Sequence, residues 1–305
     1  MAGIATLSLG VFSLAWCLTQ GPALGFADPR TLASLAVALA GFAAFAVIER
    51  SQAEPMVDFA VFRIRRFSGA LLGSAGMNCS FWPLMIYLPL YVQHGLGYGS
   101  LGTGLTLLAY TLPTLLVPPL AERLALRYRA DAVIPAGLLA IGAGFLLMLW
   151  GSQADAASWL TILPGCLLAG AGLGLTNTPV TNTTTGAVPG ERAGMASSID
   201  ISARMISLSI NIALMGFILV DAIQSALRPH LPGGLDAATL RDMAEDLSAG
   251  KGADALPAGV AKLALVQGFG VVMLYGGVAA CLFAVASWLV FGAGRARRNV
   301  TSAGL

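Results

Sequence analysis

Two charged residues, Asp200 and Arg204, lie inside an otherwise apolar segment that runs from residue 193 to residue 220. A charged side chain in a membrane span costs roughly 2.5–3.5 kcal/mol on insertion scales, and it usually faces a bundle interior or a water-filled path. An acid four residues before a base is also the favourable order for a helical salt bridge. Three roles fit the pair: it neutralises itself and anchors helix packing, Asp200 takes part in proton coupling or cation binding, or Arg204 extends to the cytoplasmic interface without a further role.

Ser197, Ser207 and Asn211 extend this pair into a polar stripe. With Asp200 and Arg204 they follow one another at steps of three, four, three and four residues. Because a helix has 3.6 residues per turn, these steps place all five on one face. The segment is therefore predicted to form one wall of a polar cavity.

Other apolar segments contain secondary candidates for the same cavity. They are Asn78, Ser80 and Trp82 in segment 67–92, and Thr176, Asn177, Thr178 and Thr181 in or next to segment 158–180. For the amides and the hydroxyls, the alternative is ordinary hydrogen bonding between helices. For Trp82, a site for aromatic cations competes with anchoring at the membrane interface.

The elements that must position these residues follow from composition. Hydrophobic residues make up 57% of the 305 residues, charged residues only 10%, and the mean hydropathy is +0.79. Soluble domains carry about 25% charged residues, so the chain is predicted to be an integral membrane protein. About eight segments are long enough to span the bilayer, and they show no alternation with period two, which predicts an all-α fold. The segments are 3–20, 31–49, 67–92, 100–120, 131–151, 158–180, 193–220 and 262–292.

The basic residues predict the orientation. Arginines cluster after the second and fourth segments, between the sixth and seventh, and in the C-terminal tail, whereas the short loops of the other side contain only Arg30. Since short basic loops resist translocation, both termini are predicted to lie in the cytoplasm of a multi-pass protein of the cell (inner) membrane. The long outer loop 221–261 contains an amphipathic stretch, 236–247, predicted as a short helix that acts as a lid or as a spacer.

Several function classes are excluded. A net charge of +2 is too small to indicate nucleic acid as a partner, and the four cysteines have no metal-ligand or disulfide spacing. With two histidines and no hydrolase, metalloprotease or phosphate-binding motif, the sequence does not indicate an enzyme. No cofactor and no metal is expected.

A set of short motifs, ordered along nearly the whole chain, carries a family resemblance. The motifs are Glu49-Arg50, 55–58 (PMVD), 61–67 (VFRIRRF), 87–93 (YLPLYVQ), 95–97 with Ser100 and 104–105, 173–179 (LGLTNTP), Val188-Pro189, and 193–197 (AGMAS) with Arg204. No single motif is specific, but their order and spacing together resemble the C-terminal part of the fourteen-helix drug:proton antiporter branch (EmrB/QacA type) of the major facilitator superfamily.

The resemblance implies a domain organisation and an activity. Residues 1–66 would form two extra central helices and a cytoplasmic connector, residues 67–292 a six-helix half-bundle, and residues 293–305 a cytoplasmic tail. The implied activity is proton-driven export of a small amphipathic or cationic molecule by alternating access. The proton gradient would supply the energy without a cofactor.

The same resemblance leads us to expect that the family's first six helices are missing. Because this fold holds its substrate between two six-helix halves, a complementary half or a second copy of the chain would then be needed as a partner besides the lipid bilayer. The alternative is a non-transporting membrane remnant or assembly module from a truncated gene.

The loop after the fourth segment resembles the family's gating motif. Glu122, Arg123 and Arg127 keep its charges, whereas Pro118 and Ala125 stand where the motif has glycines. The three charged residues are therefore candidates for an inner gate, and a plain positive-inside loop is the alternative.

Overall fold

The computed structural model describes residues 2–24, 28–51, 58–154, 157–231, 236–252, 256–257 and 259–302. Within these residues every regular element is helical, which confirms the predicted all-α class. Residues 55–57 of the connector motif and residues 303–305 of the tail lie outside the described residues. The α-helices are α1 (Ala2–Leu24), α2 (Pro29–Ser51), α3 (Arg65–Cys79), α4 (Phe81–Leu90), α5 (Ser100–Leu116), α6 (Pro118–Tyr128), α7 (Ala130–Ser152), α8 (Trp159–Thr185), α9 (Ala193–Leu227), α10 (Ala237–Ser248) and α11 (Val260–Ser302). Short 3₁₀ turns cover Phe59–Arg63, Gly190–Arg192 and Arg228–His230, and a π turn covers Tyr91–Gly95.

The membrane-spanning helices agree with most of the predicted segments. Six described helices are long and apolar enough to cross a bilayer: α1, α2, α7, α8, α9 and α11. A seventh candidate arises if α5 and α6, which meet at a bend of 43°, are counted together as one span. The remaining predicted segment, 67–92, is divided into α3 and α4, and neither piece alone reaches the roughly 20 residues that a span needs.

Proline explains both interruptions. Pro83 has no N–H to donate to the carbonyl of Cys79, and its ring would clash with that carbonyl, so the helix breaks at Ser80. Pro118 and Pro119 likewise remove two successive hydrogen bonds at the junction of α5 and α6. In both places the helix is interrupted because proline removes backbone hydrogen bonds between successive turns.

Two tyrosine hydroxyls hold α4, the piece that follows the break at Ser80, in place. Tyr110 of α5 donates to the carbonyl of Phe81 at 2.9 Å, and the two rings stack with centroids 4.1 Å apart. Tyr87 of α4 donates to the carbonyl of Ile212 in α9 at 2.7 Å. The piece beyond the break is thus bonded to two neighbouring helices.

Helices α7 and α8 pack backbone to backbone through glycines. A Cβ atom on Gly144 would lie 2.6 Å from the amide nitrogen of Ala169, and one on Gly165 would lie 2.5 Å from the carbonyl oxygen of Gly144. About two helical turns away, Gly137 and Gly172 approach each other in the same way. Small residues allow such contact between membrane helices, and here they form the centre of the bundle.

The G-x-x-x-G pair of the sequence, Gly170 and Gly174, lies on another side of α8. A Cβ atom on Gly170 would collide with the carbonyl oxygen of Tyr110, and one on Gly174 would lie 2.8 Å from Cβ of Val117. The pair therefore brings α5 against α8, while the glycines between and before it bring α7 against the same helix.

The periphery consists of the α1–α2 hairpin, which packs against α9, and of α10, which also packs on α9. The predicted short helix 236–247 is confirmed as α10, and it buries Leu240, Ala244 and Leu247 rather than extending into solvent. The connection between α9 and α11, predicted as 221–261, is shorter than predicted, because α9 continues to Leu227 and α11 begins at Val260.

Candidate transport site

The charged pair of α9 forms a buried ion pair. The Arg204 Nη2 atom lies 2.9 Å from Oδ2 of Asp200, and Nε donates to the same oxygen at 3.1 Å. The two side chains are only 16% and 4% exposed. The spacing of four residues on a helix brings the two groups together, as the sequence predicted.

The guanidinium of Arg204 also reaches the neighbouring helix. Its Nη1 donates to Oδ1 of Asn177 at 2.6 Å, and Nη2 donates to Oγ1 of Thr181 at 3.0 Å. Both acceptors belong to α8, one turn apart, so a single side chain from α9 bridges the two helices. We refer to Asp200, Arg204, Asn177 and Thr181 as the Arg204 cluster. In this cluster the arginine is bound on three sides, which differs from an arginine extended to the interface.

The Asp200 carboxylate is used on one side only. Both Arg204 contacts go to Oδ2, whereas Oδ1 is buried and has no hydrogen-bond partner among the residues that the structure describes. A buried charge is costly unless it is paired and hydrogen-bonded. The free oxygen is therefore a position at which a hydrogen-bond donor would be stabilised.

A second polar group lies two turns further along α9, at Asn211. Its amide nitrogen donates to the carbonyl of Ser207 at 2.8 Å and to Sγ of Cys79 at 2.9 Å, and its oxygen accepts from the hydroxyl of Tyr275 at 2.5 Å. Asn211 thus connects α9 to α3 and α11. Ser207 itself donates back to the carbonyl of Ala203, at 2.6 Å.

The predicted stripe is therefore divided between two clusters. Asp200 and Arg204 face α8, whereas Asn211 faces α3 and α11, and Ser197 is half-buried near the start of the helix. The structure supports a polar face on α9, but its residues serve two different sets of neighbours.

The secondary candidates differ in where they lie. Asn177 belongs to the Arg204 cluster. Asn78 is buried, and its amide donates to the carbonyl of Ser74 on its own helix at 2.8 Å. Trp82 is 37% exposed and contacts the ring of Phe81 edge-on, so it lies on the outside of the bundle. The hydrogen bonds of the described residues do not join Asn78 or Trp82 to the Arg204 cluster.

Sequence reasoning missed two residues of note. Tyr275 was not singled out, although a tyrosine in the middle of an apolar span needs a partner for its hydroxyl. Glu49, used only as a motif letter, is 1% exposed at the end of α2, where it lies against Gly3 of α1. An ionisable residue at that depth was the signal that could have identified it.

An exposed ion pair joins two parts of the chain that are distant in sequence. Arg192, just before α9, donates to Oδ2 of Asp58 at 2.9 Å. The other oxygen of Asp58 accepts from the amide of Ala60 at 2.9 Å and so begins the 3₁₀ turn before α3. The connector and the start of α9 are thereby joined by an exposed ion pair.

The gating candidates lie on α6, which is amphipathic and exposed. Glu122, Arg123 and Arg127 all point to the surface, and among the described residues none of them takes part in an ion pair within 4.0 Å. The guanidinium of Arg127 lies 5.4 Å from the centroid of the Tyr128 ring. A gating role for these residues stays a prediction.

Long apolar helices with a buried charged cluster between two of them define a polytopic α-helical membrane protein. Residues 1–211 match the family model of the Major Facilitator Superfamily, and the chain belongs to this superfamily. It is therefore a protein of a transporter family and not an enzyme.

The chain is similar to several curated exporters and resistance proteins. It is 30% identical over 231 residues to the multidrug resistance protein Stp of Mycobacterium tuberculosis, which covers 76% of this chain and 42% of that protein. It is 29% identical over 259 residues to the tetracenomycin C resistance and export protein of Streptomyces glaucescens, covering 80% of this chain and 46% of that protein. It is 28% identical over 216 residues to the quinolone resistance protein NorB of Staphylococcus aureus, covering 70% and 46% respectively. The chain thus spans less than half the length of these relatives.

Proposed function

We propose that the chain forms one half of a proton-coupled exporter of small amphipathic molecules that works by alternating access. The observation that carries the proposal is the Arg204 cluster, in which a buried carboxylate with one free oxygen is held by an arginine that bridges two helices. The relatives named for multidrug resistance, tetracenomycin C export and quinolone resistance support export of drug-like compounds.

Proton coupling in this proposal uses the two states of Asp200. When Asp200 is ionised, its charge holds Arg204 against α9 while the same guanidinium bonds to α8. A proton taken up on Oδ1 removes that charge and leaves Arg204 bound only by the neutral groups of Asn177 and Thr181. The connection between α8 and α9 would then depend on protonation, and a conformational equilibrium shifts only through such a difference between two states.

A complementary half completes the cavity in this proposal. Thr181, at the edge of the Arg204 cluster, is exposed in the chain by itself. Substrates of this architecture bind near the midplane between two halves. We infer that another transporter half, or a second copy of this chain, faces the cluster, and that both termini of the described chain lie in the cytoplasm, where its arginine-bearing loops belong.

The test is drug accumulation in cells that express the chain with and without a six-helix partner half. Asp200→Asn keeps the size of the side chain but removes its ionisation, and we expect it to abolish export driven by a proton gradient. The matched control is Asp242→Asn, because Asp242 is an exposed acid on α10. It should export like the unmodified chain.

The melting temperature is a second readout, which distinguishes a packing role of the Asp200–Arg204 pair from a role in proton coupling. Arg204→Lys keeps the charge but cannot donate to three side chains at once. It should therefore lower the melting temperature and leave the pH dependence of export unchanged. If Asp200→Asn reduces only the amount of folded protein, and each folded molecule still exports with unchanged pH dependence, the coupling role is wrong. Correct membrane insertion without export in any combination would favour a non-transporting module.

A further inference from the structure

We propose that a groove on the arginine-rich side of the bundle binds the headgroup of an anionic phospholipid, with Arg66 and Arg129 contacting the phosphate. The groove has a volume of about 550 Å³ and lies between the start of α3, α6, the start of α7 and the end of α8. Arg66 comes from the first turn of α3, and Arg129 is the residue between α6 and α7. The proposal is independent of transport.

The charge around the groove favours an anion. Residues 58–131 include six arginines on this side of the bundle but only three acidic residues, Asp58, Glu122 and Asp131. Of these three, Asp58 is paired with Arg192. The arginines are Arg63, Arg65, Arg66, Arg123, Arg127 and Arg129. Of these six arginines, as the structure describes them, only Arg129 has a carboxylate within 4.0 Å, Asp131 at 3.7 Å, and the Arg129 side chain remains 65% exposed. Glu122 also lines the groove, so the second positive charge is needed for net attraction.

The backbone of Arg129 supports a role for its side chain. It is the only non-glycine residue with positive φ in the described chain, at φ 70° and ψ 150°. That conformation costs an L-residue energy that glycine would not incur. An arginine at this position places its guanidinium at the mouth of the groove, directly before the N-terminus of the 23-residue helix α7. The positive end of that helix adds to the attraction for an anion.

The remaining lining indicates a lipid rather than a soluble phosphate. Leu126, Ala130 and Pro179 give the groove an apolar wall, and Asn182 and Thr183 add amide and hydroxyl groups. The site lies where the spans α7 and α8 meet the predicted cytoplasmic boundary of the membrane. A headgroup phosphate can bond to the arginines there while the glycerol and the first methylenes lie on the apolar wall. Basic pockets between membrane helices on this side are typical binding sites for anionic lipids.

The experiment measures lipid binding to the purified full chain by native mass spectrometry and by thermal unfolding. The probes are phosphatidylglycerol, phosphatidylcholine and inorganic phosphate. We expect phosphatidylglycerol to bind and to raise the melting temperature, and the other two to do neither. The variant Arg66→Gln/Arg129→Gly should bind phosphatidylglycerol about 30-fold more weakly, as expected for two lost basic contacts near an anionic headgroup.

The controls keep the proposal falsifiable. Arg63→Gln/Arg65→Gln removes the same charge outside the groove and should change the affinity less than about threefold, since neither side chain lines the groove and exposed charges are screened by salt. Arg129→Gly alone should melt at an equal or higher temperature, because it relieves the backbone, so lost binding cannot be attributed to unfolding. Equal losses in both double variants would mean diffuse attraction and overturn the site. Equal binding of phosphatidylcholine, or of inorganic phosphate, would overturn its anionic or its lipid character.

Discussion

The glycine contact between α7 and α8 gives the sharpest prediction for folding. In Gly144→Ala, the new methyl group would lie 2.6 Å from the amide nitrogen of Ala169 and 2.7 Å from the carbonyl oxygen of Gly165. Ordinary contact begins at 3.4 Å, so the two helices must separate by about 0.8 Å. Both neighbours are backbone atoms and cannot rotate away. Overpacking of this kind costs about 1–3 kcal/mol.

The intrinsic preference of alanine for helices works in the opposite direction, so a matched control is needed. Gly104 lies inside α5, is exposed, and has no atom within 4 Å of a built Cβ. Gly104→Ala should raise the stability by up to about 1 kcal/mol through propensity alone. The difference between the two variants therefore isolates the packing cost. Unfolding by sodium dodecyl sulfate in micelles, followed by circular dichroism, measures it. If Gly144→Ala is as stable as Gly104→Ala, the helices do not touch as described.

Two further substitutions test individual bonds. Tyr275→Phe removes the donor to Asn211 and should lower the free energy of unfolding by about 0.6–1.7 kcal/mol, the range for hydrogen bonds between membrane helices; Tyr128→Phe, on an exposed ring, should have no effect in the same titration. Arg192→Gln breaks the ion pair with Asp58, whose side chains are 60% and 32% exposed. It should change stability by less than about 1 kcal/mol, and the change should vanish at high salt. A larger loss that persists in salt would contradict the surface character of this pair.

The positions of the spans could be predicted because the bilayer fixes the length of an apolar run, and each run is local in sequence. The ion pair of Asp200 and Arg204 was predictable for the same reason, since four residues along one helix determine its geometry. Whether a span is continuous is harder to foresee. Pro83 explains the break at Ser80 once the structure is known, but the bonds that hold α4 against α5 and α9 join residues far apart in sequence.

The partners across helices could not be predicted from one sequence. Asn177 and Thr181 were candidates, but nothing in their spacing indicated that Arg204 would bond to both. Helical spacing placed the polar stripe on one face of α9. In the structure, Arg204 bonds to α8, whereas Asn211 bonds to α3 and α11. Helical periodicity gives the direction of a side chain around its own axis. It does not give the neighbour that lies there.

The break at Ser80 has a mechanical consequence. The first piece, α3, packs against α7, α8, α9 and α11, whereas the second piece, α4, is bonded through Tyr110 to α5 and through Tyr87 to α9. A rotation about Ser80 would therefore carry the bonded portions of α5 and α9 with α4, unless a tyrosine bond is broken. The two tyrosine hydroxyls therefore oppose hinge motion at the break, because α4 cannot turn by itself while both hydrogen bonds hold.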